Sequence, residues 1–289
     1  MRTFDGLALD VRSYGPEDVP VTVLLAHCWT LNQEDWHYQV RALQQEFGHR
    51  IRIVTWDHRG HGASQRAPRH SCTIEHLARD MADVIDTHAP RGKLVMAGHS
   101  IGGMTMMALA EHRPEIFDRV VGAAFVSTSS GEMDTVTLGL PEMGRFLRAQ
   151  IPRMLALRSR TLTRKARRRA PIIERQVVHR FVFGHPMRLA DAALTVEGII
   201  NSSAATMVGF YEDCMRHDRA HALKVLDGIP THVLVGTRDV LTPPSHARRI
   251  ADHVDGAVLT VVPDAGHMLP LERHELVSGT LVRMIRPHL

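Results

Sequence analysis

One stretch decides the fold of this 289-residue chain: Lys93-Leu-Val-Met-Ala-Gly-His-Ser-Ile-Gly-Gly-Met104. Its first half is short and apolar, which is typical of a strand buried on both faces. The apolar residues then recur at helical spacing from Ile101 to His112, so we expect a strand to turn sharply into a helix at Ser100. Gly98 and Gly102 leave space for that turn on either side of the serine. The serine hydroxyl would lie beside helix N–H groups that stabilise a developing negative charge.

Short apolar runs and helical patterns alternate on both sides of this stretch. The expected strands are residues 21–26, 51–56, 94–97, 119–126, 232–236 and 257–262. The expected helices are residues 34–47, 74–88, 101–112, 245–254 and 271–285. Such alternation predicts an α/β fold with a mostly parallel central sheet flanked by helices. Residues 4–14 alternate around Asp5-Gly6 and predict an opening hairpin.

The strand rhythm stops between residues 131 and 218, where helical periodicities punctuated by prolines take its place. We interpret this segment as a helical lid, or cap, that lies over the carboxyl ends of the strands. Residues 1–130 and 219–289 would then form the core, and the two parts would fold as one unit.

The composition is that of an ordinary globular protein, with 44% apolar and 23% charged residues. Cys28, Cys72 and Cys214 are too scattered for a disulfide framework or a zinc site, so we expect reduced thiols. The first ten residues carry acids and do not resemble a signal peptide, and no apolar run is long enough to span a membrane. These features favour a cytoplasmic protein without integral membrane association.

A Gly-x-Ser-x-Gly pattern between a strand and a helix resembles the nucleophile turn of the α/β-hydrolase family. The resemblance covers nearly the whole chain except residues 129–218. A serine hydroxyl needs a neighbouring base, and that base needs a third group to orient it. Asp239 follows one late strand and His267 follows the next, and the order Ser, Asp, His is the one this fold uses. We therefore expect a catalytic triad of Ser100, Asp239 and His267, with Asp264 as the competing acid. Asp239 could instead be a loop carboxylate paired with its neighbour Arg238. No acid directly follows Val126, the alternative position of the acid in relatives, although Glu132 and Asp134 are not far.

The resemblance also implies an oxyanion hole made of two backbone N–H groups, those of Trp29 and Ile101. Family members usually carry glycine where Cys28 stands, so this loop departs from the family pattern. Cys28 is either tolerated as a small thiol or indicates an altered loop. A second nucleophile there lacks an evident base.

Other motifs favour structural roles. The turn at residues 57–62 matches the family's structural turn, in which Asp57 and Arg59 would brace neighbouring loops. His217 and His221 have the spacing of helical metal ligands but lack a third ligand, and we expect a helix there. The sequence has no Gly-rich phosphate loop and no dinucleotide fingerprint, so we expect no cofactor and no metal. Ser100 stands where related dehalogenases and epoxide hydrolases carry an aspartate, which argues against those two reactions.

The net charge of +4 is unevenly placed, because a basic segment runs from Arg145 to Arg180. It holds twelve basic residues and one acid, Glu174. A solvated helical face is the simplest interpretation. The alternatives, in order, are recognition of an anionic or carrier-bound acyl substrate and attachment to anionic lipid. Nucleic-acid binding is the least favoured, since few aromatic residues are interleaved.

Together these features predict a serine hydrolase that cleaves a carboxylic ester or thioester through an acyl-enzyme on Ser100. Two alternatives remain open: hydrolysis of a carbon–carbon bond in a diketone by the same triad, and ligand binding without hydrolysis. Several apolar residues are candidates to line an acyl pocket, although a plain core role is the commoner one for each. They are Met104, Met106, Met107, Leu140, Met143, Phe146, Met154, Phe181 and Phe183.

Overall fold

The computed structural model describes residues 1–137, 144–162 and 164–289. A sheet of seven strands forms its centre. The strands are β1 (Val11–Tyr14), β2 (Val21–Ala26), β3 (Arg52–Trp56), β4 (Lys93–His99), β5 (Val120–Val126), β6 (Thr231–Gly236) and β7 (Val258–Val262). Their order is β1-β3-β2-β4-β5-β6-β7, with β1 antiparallel to β3 and every other pair parallel.

Helices connect and cover the strands. The α-helices are α1 (His37–Phe47), α2 (Ile74–His88), α3 (Ile101–His112), α4 (Gly144–Thr161), α5 (Arg164–Arg169), α6 (Ile172–Val177), α7 (Leu189–Asn201), α8 (Ala204–Cys214), α9 (Pro244–Ala251), α10 (Leu269–Glu272) and α11 (His274–Ile285). Short 3-10 helices lie at Gln33–Trp36, Gly48–Arg50, Arg69–Ser71, Pro114–Arg119, Met133–Thr135, Ala220–Leu226 and Arg286–His288, and a π-helical turn at Val178–Val182. No helix in the described ranges is both long enough and apolar enough to cross a membrane.

Each face of the sheet buries its own apolar layer. Successive side chains of a strand point to opposite faces, so Leu94 and Met96 of β4 join one cluster while Val95 and Ala97 join the other. The first cluster packs against α2, α3 and α9, and the second against α1 and α11. Complete burial of a leucine or isoleucine contributes roughly 1.5–3 kcal/mol. The two layers hold β4 rigidly, and with it the turn at its carboxyl end.

The turn after β3 braces the amino-terminal loops, as the sequence predicts. The buried Arg59 guanidinium donates to Asp80 Oδ2 at 2.7 Å and to Asp5 Oδ2 at 2.9 Å, which ties α2 to the first loop. Asp57 accepts the Gln33 N–H at 2.8 Å. The interpretation of residues 57–62 as a structural turn is therefore confirmed.

Two local expectations are wrong. The opening hairpin is reduced to one isolated bridge between Arg2 and Ala8, and β1 pairs instead with β3, which begins at Arg52. The segment at His217 is not helical, since α8 ends at Cys214 and the next 3-10 helix begins at Ala220. Both errors come from tertiary contacts that override local patterns.

The part of residues 131–218 that the structure describes contains helices and no strand, in agreement with the helical pattern. An apolar cluster joins this segment to the rest of the molecule. Val178, Val182 and Phe183 pack there with Met268 and Leu271. The division into a core of residues 1–130 and 219–289 and a lid of residues 131–218 stays a prediction.

Candidate active site

Ser100 lies at the turn between β4 and α3 in a backbone conformation that is rare for a residue with a side chain, with φ 54° and ψ −116°. Its N–H donates to Val126 O at 3.0 Å. A Cβ on Gly98 would lie 2.4 Å from Gly103 N, and one on Gly102 would lie 2.2 Å from Ala26 O. The close approach of backbone to backbone therefore requires glycine at both positions, and the tight turn predicted around Ser100 is confirmed.

His267 and Asp239 form a buried pair. The distance from His267 Nδ1 to Asp239 Oδ2 is 2.9 Å. Asp239 Oδ1 also accepts the N–H groups of Leu241 and Thr242, each at 2.9 Å, and Oδ2 accepts the Thr242 hydroxyl at 2.9 Å. Burial acts to raise the pKa of Asp239, but the charge and hydrogen bonds of His267 and Thr242 hold it below its ordinary value. The carboxylate is thus ionised and fixed toward the imidazole.

The competing acids are committed elsewhere. Asp264 pairs with Arg238, with Arg238 Nη2 2.8 Å from Asp264 Oδ1, and Glu132 pairs with Arg249. The sequence left open that Arg238 would neutralise its neighbour Asp239. In the structure Arg238 binds Asp264 and leaves Asp239 to His267.

Three side chains from distant parts of the chain meet at one cavity of about 160 Å³. Ser100, His267 and Thr242 all line it. The helical segment of residues 131–218 helps to position His267, because the backbone N–H of His267 donates to Val182 O at 2.8 Å. Most other lining residues are apolar, and they include Leu31, Met104, Val136, Val177, Phe181, Ile199, Leu241 and Met268.

The loop after β2 places Cys28, Trp29 and Thr30 at the same cavity. The Cys28 N–H donates to Asp35 Oδ2 at 3.0 Å and is therefore engaged within the protein. Trp29 and Ile101 line the cavity together with Ser100, and their role as oxyanion donors stays a prediction. Burial, with the nearby Asp35 carboxylate, raises the pKa of the Cys28 thiol well above its ordinary value. Cys28 therefore stays a neutral thiol and a poor nucleophile.

Sequence reasoning missed a second histidine–aspartate pair beneath this cavity. His99 Nδ1 lies 2.7 Å from Asp35 Oδ2, and His99 Nε2 lies 2.9 Å from the carbonyl oxygen of His267. Both partners are acceptors, so both ring nitrogens must carry protons. Burial opposes the charge, yet the carboxylate of Asp35 raises the pKa of His99 above its ordinary value. The one available sequence signal is the position of His99, directly before Ser100.

The same pair raises the question of a metal. Ligand atoms of Cys28, Asp35 and His99 lie within 4.8 Å of one another, and all three residues are buried. Both ring nitrogens of His99 are already engaged, Nδ1 with Asp35 Oδ2 and Nε2 with the carbonyl oxygen of His267. A bound ion would therefore have to break one of these two contacts of His99.

Three neutral histidines, His27, His58 and His61, cluster beside the loop of Cys28 and Trp29. The His58 N–H donates to His27 Nε2 at 2.8 Å, so the proton of His27 sits on Nδ1, which lies 2.7 Å from Cys28 O. Burial, with the neighbouring His61, lowers the pKa of His27 well below its ordinary value. Burial also lowers the pKa of His61 to about 4. These residues fix the loop of Cys28 and Trp29 without carrying charge at neutral pH.

The structure divides the candidate pocket residues between the cavity, the core and the surface. Met104 and Phe181 line the cavity, whereas Met106, Met107 and Phe183 are buried core residues that are not among its lining residues. The exposed fractions of Phe146 and Met154 are 65% and 41%, so both side chains face solvent. Leu140 and Met143 lie outside the described residues. The spacing of apolar residues predicts a helix, but it does not predict which of those residues face a cavity.

The described basic residues between 145 and 180 mostly face solvent, which agrees with the simplest interpretation of this segment. Arg167 is the exception, with 5% of its surface exposed. His217 and His221 do not meet, since His217 is buried and His221 is exposed and pairs with Glu111.

A parallel sheet, a serine at a strand-to-helix turn and a His–Asp pair at the same sheet edge define a class of α/β proteins with a nucleophile turn. The chain belongs to the alpha/beta hydrolase fold family, whose model matches residues 21–274. The resemblance proposed from Gly-x-Ser-x-Gly is thus confirmed, as is the mostly parallel sheet flanked by helices.

The relatives whose activities are named are distant in sequence. The chain is 32% identical over 117 residues to a probable aminopeptidase of Bacillus subtilis, which covers 39% of this chain and 37% of that protein. It is 24% identical to the dihydrolipoyllysine-residue acetyltransferase component of an acetoin cleaving system of Pseudomonas putida, over 92% of this chain and 64% of that protein. The chain therefore spans less than two thirds of either relative.

Two similar proteins align with this chain over almost the full length of both chains. One relative is 3-oxoadipate enol-lactonase 2 of Acinetobacter baylyi, at 25% identity over 98% of this chain and 95% of that protein. Among solved structures, an esterase from Exiguobacterium antarcticum superposes with a TM-score of 0.81 at 19% identity, over 99% and 98% of the two chains. At that identity the superposition establishes the fold alone. The family and its relatives support a hydrolase.

Proposed function

We propose that this protein is a serine hydrolase that cleaves a carboxylic ester or thioester through an acyl-enzyme on Ser100. One observation carries the proposal. The imidazole of His267 is held by Asp239 at 2.9 Å while both His267 and Ser100 line one apolar cavity. A base oriented in this way is what a serine hydroxyl requires to become a nucleophile.

The proposed reaction has two halves, acylation of Ser100 and hydrolysis of the acyl-enzyme, and His267 acts first as base and then as acid in each. Ser100 Oγ attacks the substrate carbonyl carbon as its proton passes to His267 Nε2, and the carbonyl oxygen becomes an oxyanion. His267 then gives this proton to the departing alcohol or thiol, which leaves an acyl ester on Ser100. Water attacks that ester with His267 again as base, and the carboxylic acid departs as Ser100 regains its proton.

The backbone N–H groups of Trp29 and Ile101 are the proposed oxyanion donors. Both residues line the cavity at Ser100, and Ile101 is the first residue of α3, where the helix dipole also favours negative charge. Each such donor typically stabilises the transition state by about 3–4 kcal/mol. The hydrogen bond from Cys28 to Asp35 supports this role, because it fixes the backbone directly before Trp29.

The lining supports a small molecule with an apolar acyl group. Most side chains around Ser100 are aliphatic, aromatic or thioether, and the described residues that line the cavity include no Asp, Glu, Lys or Arg. An acyl group that carried its own charge would lose solvation there without gaining a partner. Any anionic or carrier part of the substrate would therefore have to lie outside this cavity.

The test compares three substrate classes on the purified protein: p-nitrophenyl esters with acyl chains of increasing length, the matching thioesters, and a diketone analysed for its products. We expect saturable release of p-nitrophenol or thiol, with apolar acyl groups favoured over acyl groups that end in a carboxylate. Release of two carbon fragments from the diketone without ester turnover would establish the carbon–carbon hydrolase instead. Tight ligand binding without turnover of any class would establish a binding protein.

A further inference from the structure

A second cavity lies beside the candidate active site and has the opposite character. Helix α7 contributes to both: Thr195 and Ile199 line the cavity of Ser100, whereas Ile200 and Asn201 line the second one. The second cavity has a volume of about 320 Å³. It shares Arg66, Arg164 and Ser203 with an adjoining cavity of about 190 Å³, so the two form one polar cleft.

Four guanidinium groups surround this cleft, which we call the arginine cavity. They belong to Arg66 from the loop before α2, Arg160 near the end of α4, and Arg164 and Arg167 of α5. The described residues that line it include no aspartate or glutamate. The positive charges of the lining residues repel one another, and an anion in the cleft would relieve that repulsion. The Glu197 carboxylate also interacts with the charge of Arg164, but it is paired with Arg168.

Three of these arginines are available to a ligand. The side chains of Arg66, Arg160 and Arg164 form no hydrogen bond and no ion pair with the described residues. On the same short helix, by contrast, Arg168 pairs with Glu197. Arg167 is buried and donates to the carbonyl oxygen of Ile200, which fixes one guanidinium at the wall of the cavity.

The amino terminus of α8 adds to the positive potential. Ser203 caps this helix of eleven residues, because its side chain accepts the Thr206 N–H. Ser203 and Ala204 both line the cavity. The positive end of a helix dipole stabilises an anion within about one turn, and its first N–H groups are natural donors to oxyanions.

We propose that the arginine cavity binds a phosphoryl group carried by a small soluble ligand, at a site separate from the cavity of Ser100. A guanidinium presents paired N–H donors that match two oxygens of a phosphate, and several guanidiniums favour an anion of charge −2 or more over a single carboxylate. The volume exceeds what one phosphate fills, so the cleft has room for the group that carries it. This proposal does not depend on the proposed hydrolysis, since the two cavities share no lining residue.

The test is isothermal titration of the full-length protein with inorganic phosphate and with pyrophosphate, at constant ionic strength and with chloride as the competing anion. We expect saturable binding at one site, tighter for pyrophosphate than for phosphate. Arg164→Ala and Arg66→Ala should each weaken the binding of pyrophosphate on the order of tenfold, because each removes charge-assisted hydrogen bonds. Arg164→Lys should retain part of the affinity, since it keeps the charge and loses the paired donors.

Arg169→Ala is the matched control. Arg169 is exposed on the same helix and lines neither part of the cleft, so the variant loses one positive charge without altering the cleft. Equal weakening by Arg169→Ala and Arg164→Ala would contradict the proposal, because it would show diffuse attraction rather than a site. Absence of saturable binding would contradict it too, as would binding to phosphatidic acid vesicles without binding to soluble pyrophosphate. Circular dichroism of each variant would verify that the fold is retained.

Discussion

His99 Nδ1 lies 2.7 Å from Asp35 Oδ2 although the two residues are 64 positions apart, and neither side chain is exposed to solvent. Asp35 also holds the Cys28 N–H, and His99 also holds the carbonyl oxygen of His267. One ion pair therefore connects the loop of the proposed oxyanion donors to the loop of the proposed base. Asp35 and His99 act as positioning residues, since neither is among the residues that line the cavity.

A double-mutant cycle with Asp35→Asn and His99→Gln tests this connection. Each single variant breaks a buried ion pair and should lose about 3–5 kcal/mol of unfolding free energy. The double variant should lose less than the sum of the two, because no unpaired charge is left buried. Urea unfolding measures the free energies. In ester hydrolysis we expect each variant to lower kcat by a larger factor than it changes KM. Two results together would contradict a positioning role: additive losses of unfolding free energy, and a change in KM without a change in kcat.

The acid of the proposed triad can be separated from its competitor. Asp239→Asn should reduce kcat by roughly 10³–10⁴-fold, because the amide no longer stabilises the imidazolium and permits the wrong tautomer of His267. Asp264→Asn is the control, since Asp264 is bound to Arg238 on the surface and should leave kcat within about threefold. Steady-state kinetics on one p-nitrophenyl ester decides the question. The reverse ranking would show that Asp264 orients the base.

Cys28 should be dispensable for the chemistry. Its thiol is neutral because burial raises its pKa, and its backbone N–H rather than its side chain carries the contact to Asp35. We expect Cys28→Ala to keep kcat within about threefold, and to lose about 1 kcal/mol of stability through the small cavity that it leaves. Activity should also resist iodoacetamide. A loss of activity beyond about a hundredfold in a folded Cys28→Ala protein would make the thiol a participant.

The buried histidines predict a loss of stability in acid. The pKa of His61 is lowered to about 4 in the folded protein, against about 6.5 in an unfolded chain. The unfolded state therefore takes up the proton first as the pH falls, so the free energy of unfolding decreases from about pH 6.5 to about pH 4. His61 alone should make the protein about 2 kcal/mol less stable at pH 5 than at pH 7.5.

Urea unfolding at the two pH values measures this difference. His61→Asn keeps a side-chain donor for the carbonyl of Arg59, which His61 Nδ1 contacts at 3.1 Å, and should show a smaller decrease. If His61→Asn retained the full decrease, the pH dependence would have to arise from other groups.

Local signals in the sequence were enough to predict much of the fold. The strand Val21–Ala26 and the helix Ile101–His112 have the predicted bounds, because apolar runs and helical spacing persist through them. Asp239 and His267 were found because they follow strands whose ends share one edge of the sheet. These inferences needed only the order of elements and the parallel topology.

What the sequence could not predict depends on contacts between distant residues. The pairing of Asp35 with His99 and the pairing of β1 with β3 have no local pattern. The same holds for the orientation of helices, which leaves Phe146 in solvent and brings Phe181 to the cavity. The arginine cavity was hidden for a related reason, since Arg66 lies far from the basic segment along the chain.

The central claim is that Ser100 is the nucleophile. Its most direct test is labelling of the native protein with a fluorophosphonate, followed by peptide mass spectrometry and by ester turnover, for the wild type and Ser100→Ala. Ser129→Ala serves as a control at a buried serine whose hydroxyl lies 2.6 Å from His246 Nδ1 and does not line the cavity. We predict one label on Ser100, turnover by the wild type and by Ser129→Ala, and neither label nor turnover in a folded Ser100→Ala protein. Undiminished turnover by Ser100→Ala, or a label on another residue, would contradict the account.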